Sequence, residues 1–240
     1  MDASLLSDRL LRLITSTSLK GIALPKGVDV LDPMNGPHGK EVRRIVTLFH
    51  QRYFADDRER LLMLGINPGR LGAGSTGLCF TDTKRCESDL GIAVHGIRTH
   101  EPSSDFFYRV VRAMGGAELF YKQVYVQAIC PLGFTRTGPK GAPVNLNYYD
   151  DRALQEAITP FVVRWLKALI ATGMRRDVVF CIGTGKNLAY LQALNATHQF
   201  FGRIVPLEHP RFIMQYRAKQ LPLFVEKYVN ALATSRRPQA

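Results

Sequence analysis

The sequence predicts an α/β fold, with a four-stranded parallel sheet covered by helices on both faces. Two observations carry that prediction. Short apolar runs at 61–66, 123–129, 177–183 and 203–208 are bounded by turn residues, as strands buried on both faces are. Longer segments of helical period separate them, at about 41–53, 103–114, 152–171, 186–195 and 215–233, and such alternation implies parallel pairing through helical crossovers. The chain has 240 residues, 46% apolar and 22% charged, enough to bury a core without disulfides or a structural metal. No linker or internal repeat divides it, so one domain over 1–240 is expected, with residues 1–55 as a helical extension.

The elements follow from local signals. The extension is interrupted at Pro33-Met34-Asn35-Gly36-Pro37. The first strand, Leu61-Leu62-Met63-Leu64-Gly65-Ile66, stops at Asn67-Pro68-Gly69. The helix at 103–114 is opened by Ser103-Ser104-Asp105 and closed by Gly115-Gly116. The second strand ends at Cys130-Pro131. The helix at 152–171 carries a core stripe of Phe161, Trp165 and Leu169. After the third strand, Gly183-Thr184-Gly185-Lys186-Asn187 reads as a tight strand-to-helix turn; Phe180 and Asn187 stand where a phosphate loop needs glycine and a hydroxyl. Pro206 makes the fourth strand an edge strand.

Charge and composition narrow the function. Thirty-two basic against 20 acidic residues give +12, an excess suited to a polyanionic partner such as nucleic acid. The first 20 residues mix charges with short leucine clusters and do not read as a secretory signal. No window approaches the roughly 18 apolar residues of a membrane span. Cys79, Cys86, Cys130 and Cys181 form no close pair, so four reduced, mostly buried thiols in a cytosolic protein are expected. The histidines at 38, 50, 95, 100 and 198 show no metal-ligand spacing; neither metal nor cofactor is expected.

In an open parallel sheet, ligands bind beyond the carboxyl ends of the strands, which directs attention to three segments. The stretch from Gly65-Ile66-Asn67-Pro68-Gly69 to Thr76-Gly77-Leu78-Cys79-Phe80 brings backbone N–H groups close to a ligand. Its Gly72, Gly74 and Gly77 have dinucleotide-loop spacing, but the strand ended about six residues earlier, which breaks the required order. Cys130-Pro131-Leu132-Gly133-Phe134 follows the second strand. Glu208-His209-Pro210-Arg211-Phe212-Ile213-Met214-Gln215-Tyr216-Arg217 sets a histidine beside a basic, apolar segment, as suits a wedge that distorts DNA. From residue 203 onward seven basic residues face two acidic ones, which favours phosphate contacts.

Occurring in this order, the three segments resemble the motifs of the uracil-DNA glycosylase superfamily, with closest similarity to its single-strand-selective monofunctional members and their bacterial second branch. The resemblance spans about residues 61–217. It implies a three-layer α/β/α domain acting on damaged bases in single- or double-stranded DNA, as a cytoplasmic monomer without cofactor. It implies that Asn67 positions the attacking water and that His209 donates to the base O2. It further implies that Phe80 stacks under the flipped base, that Ile66 and Gly69 line the pocket, and that Pro210 with the loop Arg211, Phe212, Ile213 and Met214 meets the duplex. Where the family usually places a base-reading asparagine, this chain has Ala128. Backbone groups, Gln127, Asn145 or Asn147 could replace it, and xanthine joins uracil as a plausible lesion. The loop after His209 also lacks the family's commoner Ser-Pro continuation.

These residue types suit hydrolysis of an N-glycosidic bond, which leaves an oxocarbenium-like sugar and an anionic base. A preorganised donor stabilises that anion in a water-poor site. Asn67 can orient water but not take its proton; Asp82 is the nearest carboxylate that could. No lysine lies in the matched segments, so no Schiff-base lyase step is expected. A damaged-DNA-binding module without turnover and a hydrolase of free nucleosides are the alternatives.

Overall fold

The computed structural model describes residues 4–235. Its core is a parallel sheet in the order β3-β2-β6-β7, formed by β2 (Arg60–Gly65), β3 (Val124–Ala128), β6 (Met174–Ile182) and β7 (Arg203–Leu207). All four expected strands are present. β2 is buried at every position, and Pro206 lies in the edge strand β7, opposite Cys181. The chain passes from β2 to β3 on one side and returns to β6 on the other. The crevice at this reversal, beyond the strand ends, is where such sheets bind ligands.

Helices cover both faces of the sheet. α1 (Leu6–Thr15), α2 (Gly39–Tyr53) and α7 (Arg152–Ala171) form one group, α5 (Pro102–Ala113), α9 (Pro210–Tyr216) and α10 (Leu221–Ala233) another, and α8 (Lys186–His198) packs on β6. Phe161, Trp165 and Leu169 of α7 are buried as their spacing implies. α5 begins one residue before the expected start, with Pro102 at its first position.

Three features depart from the expectations. Residues 1–55 are not wholly helical: β1 (Asp29–Leu31) pairs antiparallel with β4 (Gly133–Thr137), which pairs with β5 (Pro143–Leu146) in a second, three-stranded sheet. β1 and β5 are short and mostly exposed, so neither leaves an apolar alternation in the sequence. Nor do these residues lie outside the core. Leu6 and Leu10 of α1, and Val42, Ile45, Val46 and Phe49 of α2, join the same buried cluster as the strands. Finally, the segment after His209 is a helix, not a loop, and the helix expected at 215–233 is two: α9, a 3-10 turn at Ala218–Gln220, then α10.

Candidate functional site

A cleft of about 290 Å³ opens at the carboxyl ends of β2, β3 and β7. The first segment turns sharply out of β2, and Asn67 is fixed by the chain following β5. Its Nδ2–H donates to the Leu146 carbonyl (3.2 Å), and its Oδ1 accepts the Tyr148 N–H (3.1 Å). The second Nδ2 hydrogen has only a long contact to the Pro68 carbonyl (3.5 Å), so it and one Oδ1 lone pair can serve a ligand or water. Because backbone groups hold both ends of the amide, its orientation is set before any substrate arrives.

Phe80 reaches the cleft from a loop locked by hydroxyls. The Thr76 Oγ1–H donates to the Thr81 carbonyl (2.6 Å), and the Thr81 hydroxyl meets that of Tyr108 (3.0 Å). Phe80 itself has φ +52°, a left-handed conformation that a bulky side chain adopts only when its surroundings enforce it. Its ring stacks on Phe107 (centroids 5.2 Å apart, planes 21° apart) and lies 5.5 Å from the His209 ring. Two glycines permit this arrangement. A Cβ on Gly65 would stand 3.1 Å from Phe80 Cζ, and one on Gly77 (φ +75°) only 2.6 Å from Val46 Cγ2 of α2. The amino-terminal helix thus supports the loop that carries the aromatic platform.

His209 caps α9: its Nδ1 accepts the Arg211 N–H at 3.1 Å. An accepting Nδ1 leaves the ring proton of the neutral imidazole on Nε2. Burial, with Arg211 adding, lowers the ring's pKa from its ordinary value to about 4, so at neutral pH the side chain is an uncharged Nε2–H donor facing the cleft. Ile66, Gly69, Ala128, Arg211 and Phe212 also line it. A second depression, lined by Gly183, Thr184, Gly185 and Lys186, shares Ile66, His209 and Phe212 with the first and extends it along the start of α8.

Residues 51–233 match the family model described as the uracil DNA glycosylase superfamily. The chain belongs to this superfamily. It is similar to the solved structure of wild-type SMUG2 from Pedobacter heparinus, with a TM-score of 0.93 and 40% identity over 97% of this chain and 98% of that one. No curated protein sequence matches it. Membership makes the chain a DNA glycosylase, a hydrolase that acts on DNA. Among its described residues, no helix is long and apolar enough to cross a membrane.

Within this glycosylase, several expected site residues lie elsewhere than the sequence implied. Ile213 is fully buried, Pro210 is buried at the first position of α9, and Met214 packs against the core. A helical period replaces the expected loop, so the surface it presents is Phe212 (40% exposed) and Tyr216 (61%), one turn apart with ring centroids at 5.6 Å. Arg217 stands 5.6 Å over Phe212. Two of the basic residues counted after position 203, Arg236 and Arg237, lie outside the described residues.

Asp82 is fully buried and does not line the cleft. Its Oδ1 accepts the Arg85 N–H that starts α4 (Thr83–Ser88), and its Oδ2 accepts the Glu101 N–H and the Ser104 hydroxyl at the start of α5. It joins two helix starts and is not placed as a base. Gln127 also turns away, its Oε1 accepting from the Ala128 N–H (2.9 Å) and the Cys79 thiol (3.3 Å). Asn145 and Asn147 do reach the cleft, but the Asn147 amide is bonded to Asp150 (2.8 Å). Sequence reasoning missed Glu101, Ser103 and Tyr149, which line the cleft as well, and included Tyr216 only as part of the basic, apolar segment. Glu101-Pro102-Ser103-Ser104 reads only as a helix start, and no local signal points from there to the glycine-rich loop.

Proposed function

We propose that this protein is a monofunctional DNA glycosylase of base excision repair, hydrolysing the N-glycosidic bond of a flipped uracil or related deaminated base to leave an abasic site. One observation carries the reading: Asn67, Phe80 and His209, from three separate segments, meet around one cleft, with His209 as an uncharged Nε2–H donor. The flipped base stacks on Phe80, a contact of about 1–3 kcal/mol that offsets part of the few kcal/mol lost on unstacking. As the C1′–N bond breaks, its electron pair moves onto the base, and the His209 Nε2–H meets the negative charge on O2. Asn67 presents a water to C1′ through its weakly held Nδ2 hydrogen and its open Oδ1 lone pair. The water's oxygen bonds to C1′, and its proton leaves to solvent.

The wedge is the exposed Phe212–Tyr216 pair of α9, with Arg211 and Arg217 beside the phosphates. The depression along α8, with Lys186, continues the path of the DNA strand. No lysine lines the described cleft, which supports hydrolysis without a lyase step. We further infer one domain over the whole chain, acting as a monomer in the cytoplasm.

The test is base release from labelled oligonucleotides carrying uracil, xanthine or hypoxanthine, single- and double-stranded, with EDTA present. Abasic sites made by wild type, and strongly reduced in Asn67→Ala and His209→Ala, are expected. Tight binding to lesion DNA without release would leave a binding module. Release from free nucleosides that survives charge reversal at Arg211 and Arg217 would indicate a nucleoside hydrolase.

A further inference from the structure

Ala128 leaves the cleft without a polar group where the superfamily's second motif usually supplies one. Its side chain is a methyl, its N–H is bonded to Gln127 Oε1 (2.9 Å), and its carbonyl accepts the Trp165 Nε1–H (3.3 Å). Polar recognition of the base must therefore come from elsewhere.

Two polar groups converge on Gly69. A Cβ at that position would stand 3.4 Å from Asn145 Nδ2 and 3.7 Å from Glu101 Oε1. The Asn145 amide has a set direction, because its Oδ1 accepts the Arg70 N–H (3.1 Å) and so leaves Nδ2, a pure donor, toward Gly69. Glu101 is placed by the start of α5: its N–H donates to Asp82 Oδ2 (2.8 Å), and its carbonyl accepts the Ser104 N–H (2.9 Å). The carboxyl occupies a notch that only glycine provides, since a Cβ on Gly72 would lie 2.1 Å from Oε2. Among the described residues, no protein donor reaches either carboxyl oxygen.

We propose that Glu101 and Asn145 form the base-recognition pair of this cleft, donating from the carboxyl O–H and the amide N–H to carbonyl oxygens of a deaminated, oxo-bearing base. The inference rests on the glycosylase reading and names the residues that supply its specificity. The Asn145 Nδ2–H donates to a keto oxygen and opposes the exocyclic amino group of an undamaged cytosine or adenine, where N–H would face N–H.

The Glu101 carboxyl suits the role. Burial and the neighbouring Asp82 charge raise its pKa to about 7, with Arg211 of α9 opposing them. The other groups around it are Cys79, whose thiol burial and Glu101 push up to about 12, and His100, which bridges Asp82 (3.3 Å) and Asp105 (3.4 Å). Below pH 7 the carboxyl donates. As pH rises through 7 it ionises, loses its donor and repels the base anion that forms on bond cleavage.

The experiment measures kcat and KM from pH 6 to pH 9 on single-stranded oligonucleotides carrying uracil or hypoxanthine. Wild type is compared with Glu101→Gln, Glu101→Ala, Asn145→Ala and the control Asn67→Ala, with thermal melts to confirm folding. Wild-type kcat/KM is expected to fall above pH 7, by about tenfold per pH unit once the proton is lost. Glu101→Gln keeps a donor in the same place but cannot ionise, so its alkaline fall disappears. Glu101→Ala and Asn145→Ala each lower kcat/KM at pH 6 by about tenfold, the size of one lost neutral hydrogen bond. A wild-type alkaline fall that persists in Glu101→Gln would overturn the proposal, as would folded alanine variants with wild-type kcat/KM at pH 6. Failure of the glycosylase reading shows separately: wild type then releases no base, and the inference falls with it.

Discussion

Replacing His209 by alanine probes the step on which the reaction depends. The side chain meets two demands at once, accepting the Arg211 N–H through Nδ1 and presenting Nε2–H to the cleft. Removal of one preorganised donor to developing negative charge costs about 2.7–4 kcal/mol, or 10²–10³ in rate. Loss of the α9 cap costs about 1 kcal/mol of stability, too little to unfold a domain with this core. The assay is single-turnover release of uracil from an oligonucleotide, which isolates chemistry from product release. Its pH dependence tests the protonation state as well. With the ring's pKa lowered to about 4, the donor stays neutral from pH 5 upward, and no acid-side rise through 6.5 is expected once Glu101→Gln has removed the ionisation at position 101. Less than a tenfold loss in His209→Ala, or a Glu101→Gln rate that climbs as pH falls through 6.5, would refute the reasoning, because with position 101 unable to ionise the second result requires an imidazolium.

Four further outcomes follow from the same structure. Asn67→Asp keeps the shape but removes the donor to the Leu146 carbonyl; single-turnover release should fall at least tenfold, and urea unfolding should show a loss of about 1–3 kcal/mol. Gly65→Ala places a Cβ 3.1 Å from Phe80 Cζ, so activity should drop while circular dichroism shows a folded chain. Phe212→Ala and Tyr216→Ala should each weaken duplex binding by about 1–3 kcal/mol in fluorescence anisotropy, and an unchanged affinity for both would remove α9 from the interface. His50, buried and bonded to the Val46 carbonyl and the Tyr125 hydroxyl, also has its pKa lowered to about 4 by burial. The unfolded chain takes up this proton below pH 6.5 and the folded one does not, so stability is full above pH 6.5 and lost on descent toward pH 4, by about 3 kcal/mol. Urea titrations at pH 7 and pH 4.5 should show a smaller difference in His50→Gln.

The parallel sheet was legible in the sequence because strands buried on both faces need continuous apolar runs, and 61–66 and 177–183 have no other use. The positions of Asn67 and His209 at the cleft were legible as well, since a strand end followed by glycine or proline marks where a parallel sheet offers its ligand site, whereas Phe80 was pointed to only by the family resemblance. The second sheet was not, because β1 and β5 bury too little to impose a pattern. Residues 1–55 read as an appendage for a related reason. α2 shows the period of any amphipathic helix, and only packing reveals that Val42 and Val46 abut Gly77 beneath the Phe80 loop.

Tertiary structure alone decided the roles of the acidic residues. Sequence proximity favoured Asp82, two positions after Phe80, but burial and three donors make it a link between two helix starts. Glu101, 32 positions beyond Gly69, reaches the cleft because α5 begins beside the glycine-rich loop. Likewise the helical turn after His209 buries Ile213 and exposes Phe212 and Tyr216. Local sequence sets the apolar period and the turns, and these determine which elements form. The polarity and reach of the site depend on which elements lie side by side, and that is fixed only when the whole core packs.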